Sequence, residues 1–204
     1  MGTTVKQSKI ITSLDQLDLN GTYTYADYIT WQFSERVELI LGKIFKMSPA
    51  PSSYHQEISS NLNGLFYNFL KKKKCKVYPA PFDVRLPNPK LKNGKIINVV
   101  QPDICVICDL NIVDEAGCKG APDLIIEILS SSTSNKDKKD KFELYEQNGV
   151  KEYWMIEPFD KTAIIYVLNE NKKFIAYNRP YVITDKVQVH IFQDLIFDLA
   201  EVFN

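Results

Sequence analysis

The 204-residue sequence contains little histidine and has no excess of charge of either sign. It has two histidines, and its 25 Lys and Arg residues balance 25 Asp and Glu residues, so the formal net charge is zero. A chain without net charge has no overall electrostatic attraction to nucleic acid or to an anionic membrane surface. Any contact with DNA must therefore come from a local group of residues.

Long hydrophobic runs are also missing. No stretch approaches the roughly 18 consecutive apolar residues of a transmembrane helix, and the first residues lack the apolar segment of a secretory signal. We therefore expect a cytoplasmic protein with no membrane partner. Hydrophobic residues make up 45% of the chain and charged residues 25%. This composition is typical of a globular protein and excludes a disordered, collagenous or coiled-coil chain.

Cysteine is scarce as well. The four cysteines are Cys75, Cys105, Cys108 and Cys118. The second and third form a Cys-x-x-Cys pair, but a zinc site usually needs another such pair or additional histidines. Cytoplasmic proteins rarely keep disulfides. We therefore expect four reduced structural thiols.

The spacing of apolar residues predicts one mixed α/β domain over residues 1–204. It has a helix and hairpin over about 23–47, a core over about 52–158, and a hairpin and tail over 159–204. The first predicted elements are a helix at 23–31, a hairpin at 36–47, and a helix that begins with Ser53 and Gln56 as a capping box. Three strands follow at 75–86, 96–108 and 123–130, and then a helix from Ser134 to Asn148, capped by Gly149. The last elements are a strand at 152–157, a hairpin at 163–177, a strand at 187–192 and an amphipathic segment at 195–203. The helix after the third strand predicts a crossover between parallel strands.

Three predicted strands each carry one acidic residue. Glu127 lies between two isoleucines in an otherwise apolar strand, where an unpaired carboxylate is costly. Asp103 begins the apolar run of the second strand, and Asp83 lies in the first. Converging carboxylates are typical ligands of Mg²⁺, which can polarise a phosphate and activate a water molecule. The alternative is that the aspartates cap turns and the glutamate pairs with a basic residue.

The order of several motifs carries a family resemblance. The motifs are Val37-Glu38-Leu39-Ile40 with Gly42, Met47-Ser48-Pro49, His55, Pro102-Asp103, Pro122-Asp123-Leu124, Glu127-Ile128-Leu129-Ser130, Asp137, Lys141, Tyr145, Gly149-Val150 and Glu152-Tyr153-Trp154. From about Tyr23 onwards the chain resembles the Uma family, within the PD-(D/E)XK superfamily of restriction-endonuclease-like nucleases. The resemblance implies a restriction-endonuclease-like core, a central mixed sheet flanked by helices. It also implies Mg²⁺- or Mn²⁺-dependent hydrolysis of DNA phosphodiester bonds.

The resemblance also implies roles for individual residues. Asp103 and Glu127 would hold the metal, with help from Asp83 and Glu38. His55 would be an accessory catalytic residue that orients a water, binds the metal or contacts phosphate. Alternatively, His55 is a packing residue and Glu38 a paired strand residue.

One position departs from the superfamily pattern. A lysine is expected two residues after Glu127, but Leu129 stands there. A strand from Glu127 to Ser130 rises about 10 Å at ~3.3 Å per residue, and a helix returning from Ser134 descends about 10 Å at ~1.5 Å per residue. Lys141 is therefore predicted to lie beside Glu127 and to replace the missing lysine. The alternative is an ordinary ion-paired helix face, because Asp137, Lys141 and Tyr145 are spaced four residues apart.

These observations predict a Mg²⁺-dependent DNA endonuclease. Cutting both strands of a duplex is simplest for a homodimer. We expect the aromatic residues of the N-terminal region to be exposed and to form the contact: Tyr23, Tyr25, Tyr28, Trp31 and Phe33. Lysines at 71–74, 90, 92, 95 and 136–141 are candidate phosphate contacts. Two alternatives remain: an inactive nucleic-acid-binding protein on the same fold, and a structural protein whose acidic residues are merely paired.

Overall fold

The computed structural model describes residues 10–47, 51–87, 95–130 and 137–204. Within these ranges the helices are α1 (Tyr25–Tyr28), α2 (Ser53–Leu70), α3 (Phe142–Asn148) and α4 (Ala200–Phe203), with 3₁₀ turns at Leu14–Gln16 and Leu110–Ile112 and a π-helical turn at Asp137–Lys141. The strands are β1 (Val37–Ile40), β2 (Lys43–Lys46), β3 (Lys76–Pro79), β4 (Val84–Pro87), β5 (Ile96–Val100), β6 (Ile104–Ile107), β7 (Val113–Asp114), β8 (Gly117–Lys119), β9 (Leu124–Ile128), β10 (Glu152–Glu157), β11 (Thr162–Leu168), β12 (Phe174–Ala176), β13 (Tyr181–Val182), β14 (Lys186–Gln188) and β15 (Ile196–Asp198).

The described strands form two main sheets, and the mixed α/β class predicted from the sequence is confirmed. The larger sheet has the order β12-β11-β10-β9-β6-β3, with β13 also pairing with β11. The smaller sheet has the order β2-β1-β5-β4-β8-β7. As predicted, β9 and β10 run parallel, while β6 and β9 are antiparallel.

Two predicted strands are each divided between the two sheets. The segment 75–86 forms β3 in the larger sheet and β4 in the smaller one, and 96–108 forms β5 in the smaller sheet and β6 in the larger one. Both changes occur beside prolines, which cannot donate to a sheet ladder. The two crossing points touch, because the Ala80 N–H donates to the Asp103 carbonyl at 2.9 Å. The sequence prediction of two continuous strands was wrong here.

Alternation along β9 separates two hydrophobic cores, because successive strand residues point to opposite faces. On one face, Leu124 and Ile126 pack with residues of α2 and of the C-terminal tail. On the other, Ile125 and Leu129 pack with residues of β4, β5 and α3. The face that carries Glu127 therefore lies between the two sheets.

The helix boundaries differ from the predicted ones in several places. Helix α2 begins at Ser53, as predicted, but its cap is Ser52, whose side chain accepts a hydrogen bond from the His55 N–H at 3.2 Å. Gly149 caps α3 with φ of +83°, a conformation that favours glycine. The predicted start of this helix at Ser134 lies outside the described residues. At the C-terminus, the predicted strand and amphipathic segment instead form the β14–β15 hairpin and the short helix α4.

The prediction of four reduced thiols was wrong for two of them. Cys75 and Cys108 form a disulfide, because the antiparallel register of β3 and β6 pairs Lys76 with Ile107 and brings the next residues together. Cys105 and Cys118 are buried free thiols. Disulfides are uncommon in cytoplasmic proteins, so this one gives no support to the cytoplasmic location. That location stays a prediction. Within the described residues, each helix is too short or too polar to cross a bilayer.

The N-terminal aromatic residues are half-buried rather than exposed. Their rings pack against one another: the Trp31 ring centroid lies 5.3 Å from that of Tyr23 in an edge-to-face pair, 5.6 Å from that of Tyr28 at a tilt, and 5.6 Å from that of Phe33 in a stacked pair. Much of their apolar surface is therefore already used within the chain. The homodimer stays a prediction.

Candidate active site

The candidate site lies where the two sheets meet. In the β6–β9 ladder, Ile104 pairs with Ile126, so the next step of this register brings Asp103 opposite Glu127. Opposite residues of an antiparallel pair have Cα atoms ~4.5–5.5 Å apart. The register thus places the two residues that the sequence predicted as the main metal ligands opposite each other across the ladder.

Asp103 is held at the end of the ladder by two neighbours. Its Oδ2 accepts a hydrogen bond from the Ile128 N–H at 2.7 Å and lies 3.5 Å from His55 Nε2. The same His55 nitrogen is 3.1 Å from the Ile128 carbonyl. The carboxyl side chain remains 22% exposed, so Asp103 is both anchored and open to solvent.

His55 reaches this point from the first turn of α2. Burial lowers the pKa of the imidazole, but the hydrogen bond and charge of Asp103, with the Ile128 carbonyl, outweigh burial and raise it. Its buried Nδ1 has no hydrogen-bond partner among the described residues. The arrangement fits a histidine that donates from Nε2 and supports the position of Asp103.

Glu127 lies in a buried cluster with the predicted lysine. Lys141 Nζ is 2.7 Å from Glu127 Oε1, and both side chains are 4% exposed. The Tyr145 hydroxyl donates to the same oxygen at 2.6 Å. Burial, with the negative charges of Glu127 and Glu38, raises the pKa of Tyr145 well above its usual value. The predicted placement of Lys141 beside Glu127 is confirmed, while Leu129 is buried in the core.

Glu38 joins this cluster from the other sheet. Its Oε1 lies 3.1 Å from Lys141 Nζ and accepts the Gln101 N–H at 2.9 Å. Its side chain is only 1% exposed. Lys141 is thus held between two buried carboxylates, one from each sheet.

Asp83 lies outside this cluster and contacts Gln101 instead. Its Oδ1 accepts a hydrogen bond from Gln101 Nε2 at 2.7 Å. Burial raises the pKa of Asp83, against the lowering effects of Gln101 and Arg85. Burial and the charge of Asp83 also raise the pKa of Tyr28 to about 12. Among the described residues, no three His, Cys, Asp or Glu side chains form a group that could hold a metal ion. Asp83 and Glu38 therefore do not join Asp103 and Glu127 in one group of ligands, as the sequence predicted that they would.

Two contributors to the site were missed or undervalued in the sequence. Gln101 links Glu38 and Asp83, and its position directly before Pro102-Asp103 was the available signal. Tyr145 entered the sequence analysis as a family motif and as part of a helix face, without a role at the site, although its spacing of four residues from Lys141 places both side chains on one side of the helix.

Comparison with known proteins finds a similar fold and a sequence relative. A solved structure described as a putative nuclease belonging to DUF820, from Anabaena variabilis, matches with a TM-score of 0.66 and 21% identity, over 88% of this chain and 97% of that chain. An uncharacterized protein of Synechocystis sp., slr1290, is 26% identical over 166 residues, which is 80% of this chain and 82% of that protein.

The fold and the placement of acidic residues define a restriction-endonuclease-like protein. The family model described as "Putative restriction endonuclease", Uma2, matches residues 25–199. The chain belongs to the Uma2 family, as the order of its sequence motifs predicted.

Proposed function

We propose that this protein is a Mg²⁺- or Mn²⁺-dependent endonuclease that hydrolyses phosphodiester bonds in DNA. The observation that carries the proposal is that the β6–β9 register places Asp103 opposite Glu127, which Lys141 contacts at 2.7 Å. Membership of the Uma2 family supports a nucleic-acid substrate. In this proposal Asp103 and Glu127 hold the metal, and Lys141 contacts the phosphate.

The donor set suits a hard divalent cation. Mg²⁺ is usually bound through one or two carboxylates and keeps several waters, and Asp103 and Glu127 supply two carboxylates from opposite positions of one ladder. Asp103 is partly open to solvent, which suits an ion that also contacts water and substrate. When bound, such an ion polarises the phosphate and lowers the pKa of its water.

Lys141 supplies the positive charge that the superfamily pattern places on the strand. Its ammonium is already fixed at 2.7 Å from Glu127 Oε1, so little reorganisation is needed when charge develops on the phosphoryl oxygens. Preorganised donors of this kind typically contribute on the order of 10²–10³ in rate. The lysine reaches the site from the π-helical turn before α3, while Leu129 fills the core.

His55 acts in this proposal through Asp103. Its Nε2 lies between Asp103 Oδ2 and the Ile128 carbonyl, which orients the carboxylate that holds the metal. We therefore assign it a positioning role rather than direct contact with the metal.

An activity assay with isosteric variants tests the proposal. Wild type, Asp103→Asn and Glu127→Gln are compared on supercoiled, linear double-stranded and single-stranded DNA with Mn²⁺. Glu152→Gln is the matched control, because Glu152 is fully buried but binds Trp154 and the tail backbone instead. We expect cleavage by wild type and the control, and its loss in both site variants. Equal cleavage by all four proteins would refute the assignment.

A second candidate function is DNA binding without cleavage. The observation that favours it is Leu129, which is buried where the superfamily lysine would stand. This candidate predicts binding of DNA at low salt with no cleavage that depends on Glu127, under any metal condition.

A further inference from the structure

Glu38 contacts the candidate lysine but comes from a different sheet than Asp103 and Glu127. We infer that Glu38 is a positioning residue, which holds the Lys141 ammonium at the site, and is not a ligand of the metal. The inference rests on the proposed function, because it explains how Lys141 is kept in place during the reaction.

Two contacts of Glu38 share one oxygen. Its Oε1 accepts the Gln101 N–H at 2.9 Å and lies 3.1 Å from Lys141 Nζ. Strand β1 is buried along its whole length and pairs with β2 over four residues. The carboxylate is therefore fixed by a backbone donor on a rigid strand, and it can in turn fix the lysine.

Metal binding makes this second contact of Lys141 important. Lys141 and Tyr145 share Glu127 Oε1, and a divalent cation held by Glu127 would compete with the ammonium for that carboxylate. Lys141 would keep its contact with Glu38, which lies in the other sheet. Glu38 would thus hold the ammonium in place against repulsion by the cation.

Glu38 also supports the segment that carries Asp103. Gln101, which donates its backbone N–H to Glu38, is two residues before Asp103. The side chain of Gln101 is held in turn by Asp83 at 2.7 Å and by Arg36 Nε at 3.1 Å. One carboxylate oxygen therefore connects the segment of one proposed metal ligand with the proposed catalytic lysine.

The variant Glu38→Gln tests the inference because it removes the charge and keeps an oxygen for the Gln101 N–H. Small displacements of a positioned group can cost about 10²-fold in rate. We expect kcat to fall between about 10-fold and 100-fold, with the KM for DNA and the Kd for Mn²⁺ within about twofold of wild type. Glu152→Gln, the same change at another buried carboxylate, should leave kcat per folded molecule unchanged.

A double-mutant cycle with Lys141→Met separates positioning from other roles. If Glu38 acts through the lysine, Glu38→Gln should lower kcat in the wild-type background and have little further effect in Lys141→Met. Equal losses in both backgrounds would overturn the inference. Thermal unfolding of each variant checks that the rates come from folded protein.

Mn²⁺ titration by calorimetry gives a readout without catalysis. A loss of Mn²⁺ affinity in Glu38→Gln as large as the loss in Asp103→Asn would make Glu38 a ligand and overturn the inference. Absence of Glu127-dependent cleavage in wild type would refute the proposed function and the inference with it. Cleavage that needs Glu127 but not Glu38 would refute the inference alone.

Discussion

Replacing Lys141 should reduce both stability and activity. The ammonium is buried and lies 2.7 Å from Glu127 and 3.1 Å from Glu38. Removing one partner of a buried ion pair typically costs about 3–5 kcal/mol, because the remaining charge is left without compensation. For a domain of this size, each kcal/mol shifts the melting temperature by ~2–4 °C. We therefore expect Lys141→Met to melt roughly 6–20 °C below wild type.

The loss would be far smaller for the alternative considered from the sequence, an ordinary ion-paired helix face, where each pair is worth only about 0.2–0.5 kcal/mol. Neutralising a carboxylate as well should recover part of the stability, so Lys141→Met with Glu127→Gln is the matched double variant. Unfolding is followed by circular dichroism and calorimetry. A single variant that melts within about 2 °C of wild type, less than 1 kcal/mol, would refute a lysine buried between two carboxylates.

Three further predictions concern metal, thiols and assembly. Mn²⁺ should raise the melting temperature by linkage, and Asp103→Ala should remove most of that rise; an unchanged rise in both Asp103→Ala and Glu127→Ala counts against the metal site. Cys105 and Cys118 should resist alkylation at pH 8, because burial raises the pKa of both thiols, that of Cys118 to about 12. Unfolding without reductant should expose two thiols and unfolding with reductant four; four without reductant contradicts the disulfide. Light scattering should give a dimeric mass at micromolar concentration, and a monomeric mass argues against the homodimer.

The proximity of Lys141 to Glu127 could be predicted from the sequence because its signals are local. Glu127 interrupts an apolar strand, and the rise of a strand followed by a returning helix places Lys141 beside it. The observed contact of 2.7 Å agrees with that estimate. Local periodicity and element lengths were sufficient for this part of the site.

The division of two strands between two sheets could not be predicted in the same way. Residues 75–86 and 96–108 read as continuous strands, because periodicity reports which residues alternate and not which sheet they join. The crossing points determine where Asp83 and Gln101 lie. Asp83 was therefore predicted as a metal ligand, whereas it is hydrogen-bonded to Gln101.

The disulfide depends equally on contacts that are distant in sequence. Cys75 and Cys108 are 33 residues apart, and only the register of β3 against β6 brings them together. The Cys-x-x-Cys motif in the sequence contains Cys105 and Cys108, and it does not indicate the pairing of Cys108 with Cys75. Cys105 is a free thiol because it lies within the buried strand β6, whereas Cys108 follows the end of that strand and bonds to Cys75.

The most direct test of the account is the cleavage rate under single-turnover conditions as a function of Mg²⁺ or Mn²⁺ concentration, for wild type and Asp103→Asn. The account predicts a saturable dependence on metal for wild type. For Asp103→Asn it predicts a dependence shifted to higher metal concentration with a much lower maximal rate. Cleavage by wild type that does not respond to metal, or an identical curve for Asp103→Asn, would contradict the assignment of this site as a metal-dependent nuclease centre.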